Sequence, residues 1–440
     1  MRMLKITWFL ASLLLAAGVG NTLKSQASDS ASHDAVPVPG NVLTASDGIS
    51  IAELQSMALA RNPEIAVWDR KIDAARGTTL QAALPYNPTV GYDAEEIGSD
   101  GSAGKHGLVV SQEFMTGNKR GYAQNAGRLE MEALVQQREV VARRVANEVR
   151  ALAWRTQAAH SLVAIRTQLK ERADATAAQA GEFRRAGEIS EMNLLQLNVQ
   201  AQEAQLALFA AQNALTASER ELAALVGTDA ESIGPISDSL AGLLALSEVD
   251  EETFLTKILA ESPQIAEAEA FAQQKQAVIA LEQSRAKSNV TVGGGVYYDA
   301  AQERNIAAAS VTIPVRLYDK NQGNIHRAQA DYLAAVRRVE QVRLDIERQC
   351  ARVYRTYLTA RQEAAVYQER ILPSLKKSYE MNIQAFRQAQ IGYLEMSNSQ
   401  VHYFEASAKY IESLQRLADA TTLLDGMLLT GNAGAEIAGE

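Results

Sequence analysis

Five histidines in this chain could in principle bind metal or move protons: His33, His106, His160, His326 and His402. None is paired with another four positions along a helix, the spacing that would aim two imidazoles at one metal ion. The lone cysteine, Cys350, excludes an internal disulfide and a Cys-based zinc site. Its expected role is that of a small buried residue. Gly293-Gly294-Gly295 is followed by a strand-like VYYDA rather than a helix, so it does not make a phosphate-binding loop. No nucleophile-elbow or paired-aspartate motif occurs. The expectation is a protein with no catalytic residues, no cofactor and no bound metal, and not an enzyme. What remains is charge placed at helix ends. Arg184, Arg185 and Glu188 cluster around Gly187, and Gln390 and Gly392 precede Glu395. Glu395 and Asn398 are three apart and share one helix face. Such groups act on ions and partners through their field, not through bond making.

The elements that must position these groups come from a repeat. Asn62-Pro63-Glu64-Ile65-Ala66 returns as Ser262-Pro263-Gln264-Ile265-Ala266, and Thr89-Val90-Gly91 as Thr291-Val292-Gly293. Gly121 matches Gly323, Phe183-Arg184-Arg185-Ala186 matches Phe386-Arg387-Gln388-Ala389, and Leu225-Val226-Gly227 matches Leu429-Thr430-Gly431. Five anchors in one order, each about 200 positions apart, mark duplication of a whole structural unit rather than a solenoid. The expected units are 51–238 and 239–431. Each holds a helix of about 30 residues (51–84 and 252–287), two strand-like runs, and a very long helical hairpin. The stretches 121–186 and 323–389 contain no proline except Pro373 and would each span ~100 Å as a helix. Pro373 is expected to kink the second.

The returning helices carry heptads. Leu194, Ala201, Leu208, Leu215 and Leu222 are seven apart, beside Leu197, Ala204, Ala211, Ser218 and Leu225. Met396, Tyr403, Tyr410, Leu417 and Leu424 repeat the spacing, which is that of packed coiled-coil seams. The short runs alternate with period two. Val90, Tyr92 and Ala94 lie on one side, Val290, Val292, Val296 and Tyr298 on another strand, and Ala309, Val311, Ile313, Val315 and Leu317 on a further run. The run 107–115 alternates poorly because of Gln112. Alternation of this kind suits a membrane strand with one lipid face or a soluble hairpin packed on helices. In a membrane, four strands cannot close, and open edges in lipid leave unpaired amides that cost several kcal/mol each. Two copies would supply eight strands and three would supply twelve; the circumference of the long helices favours three.

Composition agrees with an exported, largely helical protein. Hydrophobic residues make up 47%, enough to bury a core, and Gly (27) and Pro (9) are too few for a loop-rich chain. Lys+Arg 43 against Asp+Glu 52 gives a net charge of −9, which excludes nucleic acid as an expected partner. Arg2 and Lys5 precede an apolar run at 6–20, the pattern of a signal peptide over 1–27. A flexible leader over 28–50 and a flexible tail over 432–440 are expected to flank the two units.

These features together resemble the TolC-type outer-membrane efflux family, across about 51–431. The resemblance rests on Asn62-Pro63-Glu64-Ile65, the strand-to-helix junctions, and the turns AGEISEMNLLQLNVQAQ (186–202) and AQIGYLEMSNSQVHYFEA (389–406). LYDKNQGNI (317–325) and QEFMTGNKRGY (112–122) are most similar to the CzcC-like heavy-metal branch, although Gly117-Asn118 replaces its usual glycine pair. The resemblance implies a mostly α fold with a membrane β-barrel: a homotrimer with a 12-stranded barrel, four strands per protomer, on a long α-helical barrel. It implies an exit duct in outer-membrane lipid reaching into the periplasm. The partners would be a periplasmic adaptor and an inner-membrane transporter of the RND type. Heavy-metal cations are the expected cargo, with drug efflux and type I protein secretion as alternatives, and a periplasmic coiled-coil adaptor as a further one. By the same resemblance Arg184, Arg185, Gly187, Glu188, Gln390 and Gly392 would form adaptor-docking tips. Glu395 and Asn398 would line the periplasmic gate, with the neutral Asn398 where a second acid is common.

Overall fold

The structure is a computed structural model that describes residues 48–245 and 250–429. The expected signal peptide, most of the leader and the tail 432–440 lie outside the described residues. The last leader residues are ordered: the Ile49 N–H donates to Pro235 O at 2.9 Å and Ser237 N–H donates to Ile49 O at 3.0 Å.

The first unit opens with α1 (Ile51–Arg61) and α2 (Pro63–Ala83). Ser50 and Glu53 close a reciprocal capping box at the start of α1. The single 30-residue helix expected here is two helices, and the second unit repeats the break between α5 (Glu251–Glu261) and α6 (Pro263–Arg285). The reason is proline. Pro63 and Pro263 lack the N–H that would continue the ladder, and each forces the residue before it to extend. Asn62 has ψ 122 and Ser262 ψ 121. Asn62 then caps α2 by accepting from Glu64 N–H at 2.9 Å.

Strands β1 (Thr89–Glu95) and β2 (Lys105–Phe114) follow α2, and β3 (Val290–Asp299) and β4 (Arg304–Thr312) follow α6. They form one antiparallel sheet in the order β1-β2-β3-β4. Two strand expectations need correction. β2 runs through Gln112, whose Nε2 donates to Tyr86 O at 2.5 Å. β4 lies at Arg304–Thr312, earlier than the expected 309–317, because it must pair with β3 from Asp299↔Arg304 to Thr291↔Thr312. Residues 313–317 extend past the last rung, and Pro314 cannot donate to a ladder.

The register sorts the sheet into two faces. Val90, Tyr92, Leu108, Val110, Val292, Val296, Tyr298 and Val311 share one, all exposed, with Val90 at 73%. Asp93, Glu95, Lys105, Ser111, Glu113, Thr291 and Asp299 share the other. A sheet with its apolar side outward is inverted relative to a soluble one and suits lipid. Among the described residues, no helix is long and apolar enough to cross a membrane.

Asn118 (φ 57) and Asn321 (φ 60) turn the chain from sheet into the long helices. α3 (Lys119–Arg185) has 67 residues and spans ~100 Å at 1.5 Å per residue. α4 (Glu191–Val226) returns beside it. In the second unit α7 (Gln322–Val366), α8 (Leu372–Arg387) and α9 (Tyr393–Asp425) do the same. The kink expected at Pro373 is a single wide helical turn, Tyr367–Ile371, just before the proline. The extra residue in that turn relieves the clash between the proline ring and the preceding carbonyl.

Packing sets the side-by-side order α4, α3, α9, then α7 and α8. α9 is central, with Tyr403, Phe404, Ile411, Leu414 and Leu417 fully buried. The heptad residues Met396, Tyr403, Tyr410, Leu417 and Leu424 are all buried, as are Leu197, Ala201, Ala204, Leu208 and Leu222 on α4. α3 meets its neighbours through Val145, Val149, Ala153 and Ala158, small side chains that let helix axes approach. Cys350 is buried in α7.

Candidate functional site

The two helical hairpins end in turns that share one backbone design. In the first, Gly187 N–H donates to Arg184 O at 3.1 Å and Glu188 N–H to Phe183 O at 2.9 Å. In the second, Ala389 N–H donates to Phe386 O and Gln390 N–H to Ala385 O, both at 2.9 Å. These paired bonds satisfy the last helical carbonyls and require one left-handed residue. Gly187 fills that role with φ 81. In the second turn Ala389 fills it with φ 53. Gly392, which ends that turn, has φ −78, a value that any residue adopts, and is not the left-handed residue. The two hairpins therefore place the left-handed residue at equivalent points of the hydrogen-bond pattern, and glycine serves only one of them.

Aromatic rings hold the turns together. Phe183 and Phe386 meet edge to face at 6.4 Å, and Tyr393 packs on both, at 5.8 Å from Phe183 and 4.8 Å from Phe386. The Tyr393 hydroxyl donates to Gln179 Oε1 at 2.7 Å. Burial pushes the Tyr393 phenol up to about 12, with a hydrogen bond to Thr176 pulling the other way, so it stays a neutral donor. The sequence pointed to this cluster indirectly, since Phe183 and Phe386 are duplicated anchors of the repeat.

The charged tip residues are presented to solvent. Arg184, Arg185 and Glu188 are exposed, as are Gln390 and Gly392. Arg184 makes one loose ion pair with Glu191 at 3.7 Å, and Arg185 Nε donates to Gly181 O at 3.2 Å. Glu395 and Asn398 are both exposed on the first turns of α9. Asn398 is not free: its Oδ1 accepts from Gln200 Nε2 at 2.9 Å, and Gln200 Oε1 accepts from Ser397 Oγ at 2.8 Å. The structure thus ties the α9 start to α4 through Gln200, a residue the sequence gave no reason to single out.

Beside this link, a groove of about 600 Å³ is lined by Met192, Leu195, Val199, Gln200, Leu394 and Asn398. Met192, Leu195, Val199, Leu206 and Phe209 form a second, exposed apolar stripe on α4, opposite the buried one. Their spacing of 3, 4, 7 and 3 is readable in the sequence, but the stronger leucine seam masks it. Among the described residues no group of three or more His, Cys, Asp or Glu is placed to hold a metal ion. His106 stacks on Tyr92 at 6.0 Å and accepts or donates to its hydroxyl at 2.5 Å, a contact within the outer sheet face.

Comparison with known proteins matches this architecture. The chain is 24% identical over 380 residues to the cobalt-zinc-cadmium resistance protein CzcC of Cupriavidus metallidurans, covering 85% of this chain and 88% of that one. It is 25% identical over 301 residues to the nickel-cobalt-cadmium resistance protein NccC of Alcaligenes xylosoxydans xylosoxydans, covering 67% of each. Among solved structures, the outer membrane protein VceC of Vibrio cholerae superposes with a TM-score of 0.71 at 15% identity, over 87% of this chain and 96% of that one. The outer membrane efflux protein family matches twice, over residues 54–228 and 254–428, once in each half of the repeat. With its inverted sheet, its ~100 Å helical hairpins and this double match, the chain belongs to the outer membrane efflux protein family, whose members are transport channels of the outer membrane rather than enzymes.

Proposed function

We propose that three copies of this chain form an outer-membrane exit duct for heavy-metal cations. A periplasmic adaptor and an inner-membrane transporter of the RND type would feed it. The observation that carries this reading is the open four-stranded sheet with its apolar face outward, joined to helices too long for a compact domain. Among the described residues, the outer edges of β1 and β4 have no strand partner. In lipid those amides must pair, and pairing β4 of one copy with β1 of the next closes a barrel. Three copies give about twelve strands, within the size range of outer-membrane barrels.

The repeat supports the same closure. α6 packs on α7 of its own unit and on α3 of the other. Its counterpart α2 packs on α3 alone among the long hairpin helices. In a ring of repeated units, α7 of the neighbouring copy would occupy the vacant side of α2. The exposed α4 stripe would face that neighbour as well, a head-to-tail interface of the kind that closes rings. Residues 51–238 and 239–431 then act as two similar sectors of one wall.

Heavy-metal cargo is supported by the resistance named for CzcC and NccC. Glu395 would line the periplasmic mouth once per copy, a ring that attracts cations. Asn398, neutral and bonded to Gln200, would leave that ring weaker than one with two acids. Arg184, Arg185, Glu188 and Gln390 would contact the adaptor, since they are exposed and lightly paired at the distal turns.

Mass measurement of the protein in mild detergent tests the assembly. Three protomers are expected, and a stable monomer or dimer would overturn the shared barrel. Deletion of the protein should lower tolerance to cobalt, zinc or cadmium without a matching loss of tolerance to organic drugs. The opposite pattern would reassign the cargo.

A further inference from the structure

One row of the sheet places three residues directly opposite one another: Asp93 on β1, Gly107 on β2 and Tyr297 on β3. All three are on the polar face. Tyr297 is the sole aromatic residue of that face among the described strands, where its neighbours are Gly, Ser, Thr, Ala, Val, Ile or charged. A large ring on the concave side of a barrel would ordinarily stand up into the bore. Here it lies down. A Cβ on Gly107 would sit 2.5 Å from Tyr297 Cδ1 and 2.7 Å from Cγ, so the ring covers the bare backbone of β2. A Cβ on Gly295 would meet Val109 Cγ1 at 2.7 Å and Leu108 O at 2.9 Å, with Tyr297 Cε2 next at 3.2 Å. The hydroxyl reaches across to β1 and donates to Asp93 Oδ2 at 3.2 Å.

We infer that Gly107 and Gly295 form a seat that holds Tyr297 flat against the inner wall, and that this sets the bore of the membrane segment. The inference rests on the reading of the polar face as the lumen of a shared barrel. Glycine in a strand weakens it, having no side chain to pack, and a ring laid over the glycine recovers that packing. Here the same arrangement has a second effect. Any side chain at position 107 must displace the ring, whose free direction is the lumen, and must also press on the Val296 carbonyl oxygen, 2.7 Å from the same Cβ. Three copies would bring three rings toward one axis. The Asp93 carboxylate tethers the far end and is itself kept on the wall by the bond, so the ring and one lumen charge are fixed together. Tyr297 is thus a positioning residue for conduction, acting through the space it leaves open.

Single-channel conductance in planar bilayers tests this, with oligomer mass in mild detergent checked for every variant. Gly107→Val is expected to lower conductance by about two-fold or more, because pore radius governs conduction. Gly107→Ala should shift it the same way by less. The decisive variant is Gly107→Val combined with Tyr297→Ala, which removes the ring, leaves only the contact with the Val296 carbonyl, and should restore most of the lost conductance. Tyr297→Phe keeps the ring and cuts the tether, and should add rapid partial closures. An assembled Gly107→Val channel with wild-type conductance would overturn the inference. So would a loss in the double variant as large as in Gly107→Val alone. If Gly107→Val does not assemble, Tyr297→Phe decides: steady wild-type currents would sink the tethered seat. Failure of the wild-type protein to conduct at all would instead strike the duct reading on which the inference stands.

Discussion

The first turn, at 186–190, and the second, at 388–392, have the same hydrogen-bond pattern but different chemistry. The first is built from a left-handed glycine, two arginines and a helix start capped by Ser190, whose Oγ accepts from Asn193 N–H at 3.2 Å. The second puts alanine in the left-handed position, starts α9 at Gly392 with no side-chain cap, and leads into the exposed Glu395. α9 is the most enclosed helix, whereas α4 keeps one face free. Duplication set the shared frame. Divergence then left two exposed arginines, Arg184 and Arg185, before the first turn and one, Arg387, before the second, with a free helix behind the first and the exposed Glu395 on a helix locked in the core behind the second. In the proposed duct the former would suit docking and the latter a gate.

The largest expected effect tests the first half of that contrast. Arg184→Glu combined with Arg185→Glu should reduce metal tolerance to that of cells lacking the protein, while trimers still insert. Charge reversal at an interface opposes encounter as well as removing attraction. Full tolerance with the double reversal would remove these arginines from the docking surface. A smaller effect is expected at the second turn. Glu395→Lys should lower the cation-over-anion preference of the open channel by about half or more, measured as a reversal potential in a salt gradient. Glu412→Lys, on an exposed face farther along α9, should leave it unchanged. Equal selectivity in wild type and Glu395→Lys would show that the carboxylate does not face the narrow mouth.

Much of the frame behind this contrast is legible in the sequence, because it depends on periodicity. All five heptad residues at 396–424 are buried, six of the ten at 194–225 are buried while Leu194, Ala211, Leu215 and Leu225 are half-buried, and alternation at 89–95 and 290–299 gives the apolar and polar sides of the sheet. What escaped has specific causes. Pro63 and Pro263 mark the repeat, but periodicity carries no sign of the break that each makes in its helix. Residues 313–317 alternate like a strand, yet pairing with β3 ends at Thr312, so alternation alone could not set the boundary. Gln200 carries no signature, since a polar residue on a helix looks solvated until a partner such as Asn398 is in view. Tyr297 alternates with glycines, and only the register reveals that one of them lies beneath its ring.

Left-handed Ala389 is the feature sequence could least anticipate, and it gives the smallest but cleanest test of the comparison. An L-residue in that conformation carries a cost of roughly 1–2 kcal/mol that glycine does not. Gly187 has nothing within 4 Å of an added Cβ, so Gly187→Ala meets backbone strain alone. It should destabilise the first turn by about 1 kcal/mol, which is about a five-fold rise in local amide exchange. Ala389→Gly should relieve strain in the second turn, but the freer unfolded chain offsets about 0.4–1 kcal/mol of that. A net gain below about 1 kcal/mol is expected, with slower exchange at 388–390. Gly392→Ala is the internal control: its backbone is extended and its surroundings open, so it should not destabilise the turn. Hydrogen exchange at the two turns reads all three variants in the assembled protein. If Gly392→Ala costs as much as Gly187→Ala, the second turn depends on glycine after all, and the two turns are not the conformational equivalents described here.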